Sequence, residues 1–212
     1  MDEALQFASR AYGEVFVLLL VARGMDIIST WVATPGLVLE GNPIAKMLGW
    51  RWGIPLNLAF CFGFAFWPFP AIVIGTTSVL VAARNFQSAW LMRSMGEAAY
   101  RDWHLQRVQE TSITLYLLCL FGQTALTAAV GAAVIRFSDS RSDDYGILLA
   151  IGWGIVGYAV TVAFYTVLGV WRLRRAALRR QRLTERALGD PVSPLKPGKL
   201  VNLCGPDKAE VP

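Results

Sequence analysis

Four long apolar stretches dominate the chain. They run over residues 12–34, 54–83, 111–135 and 147–171, and each reaches the roughly 20 mostly apolar residues that a bilayer crossing needs. Residues 58–66 lack the alternation of polar and apolar faces that a helix of a soluble bundle shows. The pattern therefore predicts an all-α protein, built as a four-helix transmembrane bundle.

The segments around these stretches predict further elements. Pro68 and Pro70 lie inside the second stretch, and proline within a helix removes a backbone donor and kinks it, so we expect a long, kinked second helix. Residues 87–110 have helical composition mixed with charges and predict an interfacial or protruding helix. The transmembrane domain then covers residues 1–188 and ends in a basic juxtamembrane helix. The proline-rich remainder, 189–212, is expected to be a disordered cytoplasmic tail.

The positions of the basic residues orient the predicted bundle. With the N-terminus inside, fifteen of the 20 Lys and Arg residues fall in cytoplasmic segments and four in external segments. This asymmetry is typical of the positive-inside rule, so both termini are predicted to be cytoplasmic. Only 17% of the residues are charged, against about 25% in soluble domains, which agrees with a protein of the plasma or inner membrane.

Most of the positive charge follows the last apolar stretch. Seven arginines lie between residues 172 and 186, and basic clusters beside a bilayer attract acidic headgroups. The expected ligands of anionic lipids are Arg174, Arg175, Arg179 and Arg180. No nucleic-acid-binding signature accompanies this charge, so nucleic acid is not an expected partner.

The first helix carries residues that are costly inside a bilayer. Arg23 and Asp26 lie three apart, with Thr30 on the same helical face, and one charge near the middle of a span costs about 2.5–3.5 kcal/mol on insertion scales. The two charges can pair. The pair then either fixes helix packing or forms part of a polar site for an ion, a proton or a headgroup.

The connection after this helix adds two candidate residues. Asn42 before Pro43 is typical of a helix N-cap followed by a first-turn proline, which needs no further function. Glu40 is less well explained, and its carboxylate could approach that of Asp26. Two neighbouring carboxylates bind a cation or share a proton.

Asp26 with Thr30, followed by Glu40-Gly41-Asn42-Pro43, resembles the signature of a family of short prokaryotic multi-pass membrane proteins of unknown function. Its members have an Asp and a Thr in a first span, an E-x-N-P turn and a following hairpin. The likeness covers residues 23–86, and the lysine of the next span in such proteins has no match here. The resemblance implies a membrane protein and no particular activity.

Motifs of enzymes and metal centres are absent from the sequence. The three cysteines form no CxxC pair and His104 is the single histidine, so we expect no metal and no cofactor. The sequence also lacks an HExxH, a GxSxG and a P-loop motif. These absences lean against an enzyme.

Two hypotheses for function follow. Small residues recur four apart in the third and fourth helices, which permits close helix approach within the bundle or between molecules; they are Ala125, Ala129, Ala133, Gly146, Ala150 and Gly154. The leading hypothesis is a non-enzymatic bundle that associates with itself or with other membrane proteins. The alternative is a small transporter or ion-binding protein that uses Asp26 and Glu40.

Overall fold

A computed structural model of the chain describes residues 4–40, 42–138 and 145–189. Beyond Arg172, Arg175 is the only residue whose side chain is described. The chain divides into two compact units, Met1–Trp171 and Arg172–Pro212. The cavity and the helix contacts discussed below belong to the first unit.

The described residues form helices and no strand. The helices are α1 (Arg10–Ala33), α2 (Pro43–Phe64), α3 (Pro68–Met95), α4 (Glu97–Glu110), α5 (Ile113–Phe137) and α6 (Tyr145–Gly189). Four helical segments are long and apolar enough to cross a membrane: α1, α3, α5 and the part of α6 that covers Tyr145–Arg172. The predicted all-α class is confirmed, and so are four helices of spanning length.

The second predicted span, residues 54–83, is not one helix. α2 ends at Phe64, and α3 begins three residues later at Pro68. Pro68 stands in the first turn of α3, where its missing N–H has no helical acceptor in any case, and Trp67 before it is extended, as residues before proline prefer. The prolines thus begin a helix instead of kinking one, and the predicted kinked span was wrong.

α2 runs antiparallel to α1. Hydrogen bonds join the two helices and their flanks at three levels: Trp50 Nε1 donates to the Pro35 carbonyl (2.9 Å), Arg23 Nε to Asn57 Oδ1 (2.9 Å) and Tyr12 Oη to the Phe62 carbonyl (3.1 Å). The residue numbers fall along α1 as they rise along α2. α2 therefore returns the chain to the end of the bundle where α1 began.

α3 runs parallel to α1. Arg23 contacts Ser78, Thr30 contacts Asn85 further along, and Thr34 contacts Glu97 just beyond α3. The buried residues between these helices are small: Ala22, Ser29, Ala71, Gly75, Ser78 and Ala82. Small residues let helix backbones approach closely, which is how helices pack where lipid removes the hydrophobic driving force.

Glycines join α5, α6 and α3. A Cβ on Gly131 of α5 would lie 2.8 Å from the Gly152 carbonyl, and one on Gly154 would lie 2.9 Å from the Val73 carbonyl. We call Gly131, Gly152 and Gly154 the glycine seam. Because Gly152 also lies next to Ile135, α5 runs antiparallel to α6. α6 runs in the same direction as α3.

Three helices therefore run in one direction and two in the other. We call residues 5–12 and 62–68 the N-terminal end of the bundle, and residues 34–50 and 85–97 the loop end. α1 leaves the N-terminal end, and the apolar part of α6 finishes toward the loop end. The prediction that both termini lie on one side treated residues 54–83 as a single crossing. In the structure, α2 and α3 lie side by side there and run in opposite directions.

Large apolar side chains cover the outside of the helices. The most exposed examples in α5 and α6 are Leu118 (68%), Leu126 (72%), Phe137 (82%), Val160 (62%) and Phe164 (60%). Small and polar residues lie inside instead. This inverted arrangement is expected where lipid is the solvent.

Candidate binding cavity

A cavity of about 750 Å³ lies among α1, α2, α3, α6 and the connection after α1. All five residues predicted for a polar intramembrane site line it: Arg23, Asp26, Thr30, Glu40 and Asn42. Ligand-binding cavities in proteins commonly enclose about 300–1,000 Å³. The structure therefore brings the candidate residues together around a space of ligand size.

Arg23 is the centre of the polar wall. Its Nη1 donates to Asp26 Oδ2 at 2.9 Å and to Ser78 Oγ at 3.1 Å, and its Nε donates to Asn57 Oδ1 at 2.9 Å. A second bond joins Nη2 to the same Asn57 oxygen. The predicted pairing of Arg23 with Asp26 is confirmed, and the guanidinium also ties α1 to α2 and α3.

The partners of Arg23 are held by their own helices. Asp26 lies one turn after Arg23, and its side chain is 18% exposed, against 28% for Arg23. The Asn57 amide donates to the Gly53 carbonyl one turn earlier at 2.8 Å, which leaves its oxygen free to face Arg23. Charges at this depth face a protein cavity because lipid offers them no partner.

A second polar cluster lies closer to the loop end. Asn85 Nδ2 donates to Ser29 Oγ at 3.2 Å and to Thr30 Oγ1 at 3.1 Å, and Ser29 Oγ donates to the Asp26 carbonyl at 2.9 Å. These bonds connect α1 to α3 one to two turns beyond Arg23. Thr30 thus keeps its place in the site, with a partner that the sequence analysis did not identify.

Arg84 lines the same cavity from α3. Its Nη1 is buried and has no hydrogen-bond partner in the described part of the chain. Arg84 lies within α3, which continues to Met95.

The connection after α1 forms the loop-end wall of the cavity. Glu40 Oε1 accepts from the Asn42 backbone N–H at 2.7 Å, and Asn42 Oδ1 accepts from the Ile44 N–H at 3.0 Å. The predicted N-cap role of Asn42 is confirmed. Among the described residues, no group of three or more His, Cys, Asp and Glu side chains is placed to hold a metal ion.

Glu97 fastens this connection to the start of α4. Its carboxylate accepts hydrogen bonds from Thr34 Oγ1 (2.7 Å), the Gly36 N–H (2.7 Å) and the Val38 N–H (3.1 Å). Burial alone would raise the pKa of Glu97, but these bonds and the nearby Arg93 charge together lower it below its ordinary value. We call this contact the Glu97 latch.

The Glu97 latch contradicts one feature of the predicted topology. The sequence analysis placed residues 34–43 outside the membrane and residues 87–110 inside it. Direct hydrogen bonds between Glu97 and Gly36 place both segments at one end of the bundle. The error has the same origin as the false second span, because residues 54–83 belong to two helices of opposite direction, α2 and α3, and not to one.

The remaining candidate residues lie away from the cavity. Arg175 is exposed, and the side chains of Arg174, Arg179 and Arg180 lie outside the described residues. On α5, Ala125, Ala129 and Ala133 are exposed, whereas Ala150 and Gly154 on α6 are buried. Of the two small-residue faces, the one on α6 is thus used inside this chain.

No family model, no curated protein and no solved structure matches the chain. The resemblance to the family with the E-x-N-P turn therefore stays a prediction. Its residues Asp26, Thr30, Glu40 and Asn42 all line one cavity. The arrangement is chemically suited to hold a molecule that has both polar and apolar parts.

Proposed function

We propose that the protein is a non-enzymatic, multi-pass membrane protein that binds a small amphipathic molecule inside the bilayer, as a small transporter does. The observation that carries the proposal is the cavity of about 750 Å³ with the Arg23–Asp26 pair in its wall. Charged residues at membrane depth are costly and mark functional sites by default.

The size of the cavity favours a molecule over a bare ion. A Ca²⁺ or Mg²⁺ ion is held by oxygen ligands about 2.0–2.6 Å away. A space of about 750 Å³ is much larger than such a site. The Asp26 carboxylate is bonded to Arg23, and Glu40 bonds the Asn42 backbone. Both carboxylates thus support the wall, and the open volume is left for a solute.

The test is to fill the cavity from one helix. Val81 on α3 lines the cavity, whereas Val79 on the same helix is 41% exposed and does not. The protein in neutral-lipid nanodiscs is labelled with photoreactive diazirine analogues of dodecanoate and dodecanol, and labelled residues are mapped by mass spectrometry. We expect cavity labelling by at least one probe in the parent protein and in Val79→Trp, and its loss in Val81→Trp.

Labelling of the outer apolar surface alone, with the same pattern in both variants, contradicts the proposal. Such a pattern is what simple partition of the probes into the bilayer produces. The paired valines separate the two outcomes because both substitutions add the same side chain to the same helix. The thermal midpoints of both variants check that each one is folded.

We also propose that the loop end faces the cytoplasm of the plasma or inner membrane. Six of the 20 Lys and Arg residues lie at or next to the loop end, within residues 46–51 and 84–107, and ten more follow Trp171, whereas Arg10 and Arg136 lie toward the N-terminal end. The positive-inside rule favours the side that is richer in these residues. The N-terminus is then external, the C-terminus is cytoplasmic and α4 lies at the cytoplasmic interface.

The basic segment after Trp171 supports a lipid contact. Each Lys or Arg near an acidic membrane surface contributes about 1 kcal/mol. We expect joint replacement of Arg174, Arg175, Arg179 and Arg180 by Gln to reduce the number of acidic lipids that remain bound in native mass spectrometry. An unchanged number of bound acidic lipids overturns this part of the proposal.

Association with a second membrane protein, or with a second copy, is the second candidate function. It is supported by the exposed face of α5 that carries Ala125, Ala129 and Ala133, since small residues four apart permit close helix approach. Mass measurement in native detergent tests it. A strict monomer without any co-purifying membrane protein counts against association.

A further inference from the structure

Arg84 is the charged residue of the cavity that the protein itself leaves unsatisfied. The described lining contains four charged side chains, and they are Arg23, Asp26, Glu40 and Arg84. Arg23 and Asp26 pair with each other, and Glu40 accepts a backbone hydrogen bond. The Nη1 atom of Arg84 is buried and has no hydrogen-bond partner among the described residues, and no salt bridge joins Arg84 to any of them.

A buried guanidinium N–H group that lacks a hydrogen-bond partner is unfavourable. A buried donor without a partner costs roughly 1–3 kcal/mol, and more when the group is charged. The planar fork of N–H groups in a guanidinium matches carboxylate and phosphate oxygens. Because Arg84 also lines the cavity, an anion held there is suited to pair with its guanidinium.

Apolar side chains line the cavity at both ends. Toward the loop end, Leu37, Leu39 and Met92 line it together with the polar residues Arg84, Asn85 and Thr30. The half nearer the N-terminal end is lined by Leu19, Ile74, Phe60 and Phe64. An apolar tail fits this second half, because its burial is favourable at about 25 cal/mol per Å² of surface.

From this arrangement we infer that the occupant is an anionic amphiphile, whose carboxylate or phosphate headgroup pairs with Arg84 and whose single apolar tail lies toward Leu19 and Phe64. The inference rests on the proposed function, since it names the class of molecule that the cavity binds. Arg23 is already paired with Asp26, and this pair forms part of the polar wall of the cavity.

The experiment compares headgroups on one tail. Binding of dodecanoate, dodecyl phosphate and dodecanol to the protein in neutral-lipid nanodiscs is measured by native mass spectrometry, and inorganic phosphate is tested alone. The variants are Arg84→Gln, Arg84→Lys and, as a control, Arg101→Gln on the outside of α4. Arg101 is exposed and does not line the cavity.

We expect the parent protein and Arg101→Gln to prefer both anionic amphiphiles over dodecanol. In Arg84→Gln the anionic amphiphiles bind roughly tenfold to a hundredfold more weakly, which is the effect of one charge-assisted hydrogen-bond pair, while dodecanol binding is unchanged. Arg84→Lys retains part of the preference because it keeps the charge but not the planar fork. If Arg84→Gln does not fold, the comparison of Arg84→Lys with Arg101→Gln decides.

The contrary results separate the inference from the proposed function. If anionic and neutral amphiphiles bind the cavity equally well, and if substitution of Arg84 changes neither, the inference fails and the proposed function stands. If no amphiphile binds the cavity, both fail. Binding of inorganic phosphate as tight as that of dodecyl phosphate overturns the assignment of an apolar tail and leaves a headgroup site.

Discussion

Two regions of this bundle pack in opposite ways. The glycine seam brings α5, α6 and α3 so close that a Cβ on Gly131 would lie 2.8 Å from the Gly152 carbonyl. Elsewhere in the bundle, α1, α2, α3 and α6 surround a cavity of about 750 Å³ with an ion pair in its wall. Close packing contributes to stability, whereas a polar cavity inside a membrane lowers it. The contrast teaches that function is to be sought in the loosely packed region.

The largest effect is expected in the glycine seam. In Gly131→Val the new side chain meets the backbone of Gly152 and Val156, so the helices must separate, at a cost near the upper end of overpacking, about 3 kcal/mol. Gly122 on the same helix has nothing within 4 Å of its Cβ position. Gly122→Val should therefore stay within about 0.5 kcal/mol of the parent protein.

The unfolding free energy in mixed micelles measures both changes. Ligand binding by folded Gly131→Val should be retained, because the seam lies outside the cavity wall. Equal unfolding free energies for the two glycine variants would show that the seam is not closely packed. The contrast between a closely packed and a loosely packed region would then not hold.

An intermediate effect is expected from the ion pair. Asp26→Asn leaves Arg23 with its bonds to Asn57 and Ser78 but removes its countercharge, at a cost of about 1.5–3 kcal/mol, the value of a hydrogen bond to a charged group. The double change Arg23→Met with Asp26→Leu should be less destabilising, because an apolar pair replaces a partly buried ion pair. The free energy of unfolding of each variant in mixed micelles tests this order.

Amphiphile binding by the double variant is a further test of the ion pair. The double variant should fold yet bind the amphiphiles of the cavity less tightly, since the polar wall is lost. If it is both stable and fully active in binding, Arg23 and Asp26 fix helix packing and nothing else. That result would return the pair to the simpler of its two interpretations.

The smallest effect is expected at the Glu97 latch, and it depends on pH. Because the pKa of Glu97 in the folded protein lies below its ordinary value of 4.5, the latch stabilises the fold above about pH 4.5. This stabilisation is lost progressively as the pH falls below that value and Glu97 becomes protonated. The backbone amides of Gly36 and Val38 should then exchange faster than the intrinsic pH dependence of amide exchange predicts.

Glu97→Gln should reproduce this loss at neutral pH. We expect the Gly36 and Val38 amides to exchange roughly fivefold faster, since one hydrogen bond contributes about 1 kcal/mol net. Glu110→Gln is the control at the far end of α4, where the carboxylate bonds Arg107 and Gln106. Unchanged exchange in Glu97→Gln would mean that the connection is held by other contacts.

Part of the fold could be read directly from the sequence. The apolar stretches 12–34, 111–135 and 147–171 lie within about two residues of helices or of candidate spans in the structure. Long uninterrupted apolarity has one stable solution in a bilayer, because the backbone must satisfy its own hydrogen bonds.

The second stretch failed for a physical reason. Proline in a long apolar stretch is compatible with a kinked helix and with the first turn of a new helix. No polar residue marks the reversal at residues 65–67. The choice between the two is made by contacts of α2 with α1, such as that of Asn57 with Arg23, and these are distant in the sequence.

Only part of the candidate site could likewise be predicted from the sequence. The pairing of Arg23 with Asp26 follows from helical spacing, and the structure confirms it. Asn57, Asn85 and Arg84 were not identified, because their roles depend on which helices are neighbours. A polar residue within an apolar stretch was the available signal for Asn57.

The side of the membrane on which each segment lies tests the central claim most directly, namely that α1, α2 and α3 traverse the bundle in turn and enclose the cavity. Single cysteines are introduced as Gln6→Cys, Met47→Cys and Ala98→Cys in a background without Cys61, Cys119 and Cys204, and intact cells are treated with an impermeant maleimide. All three positions are exposed. We predict that residue 6 is labelled from outside, whereas residues 47 and 98 react after permeabilisation. Labelling of residue 47 from the side opposite to residue 98 would contradict the account.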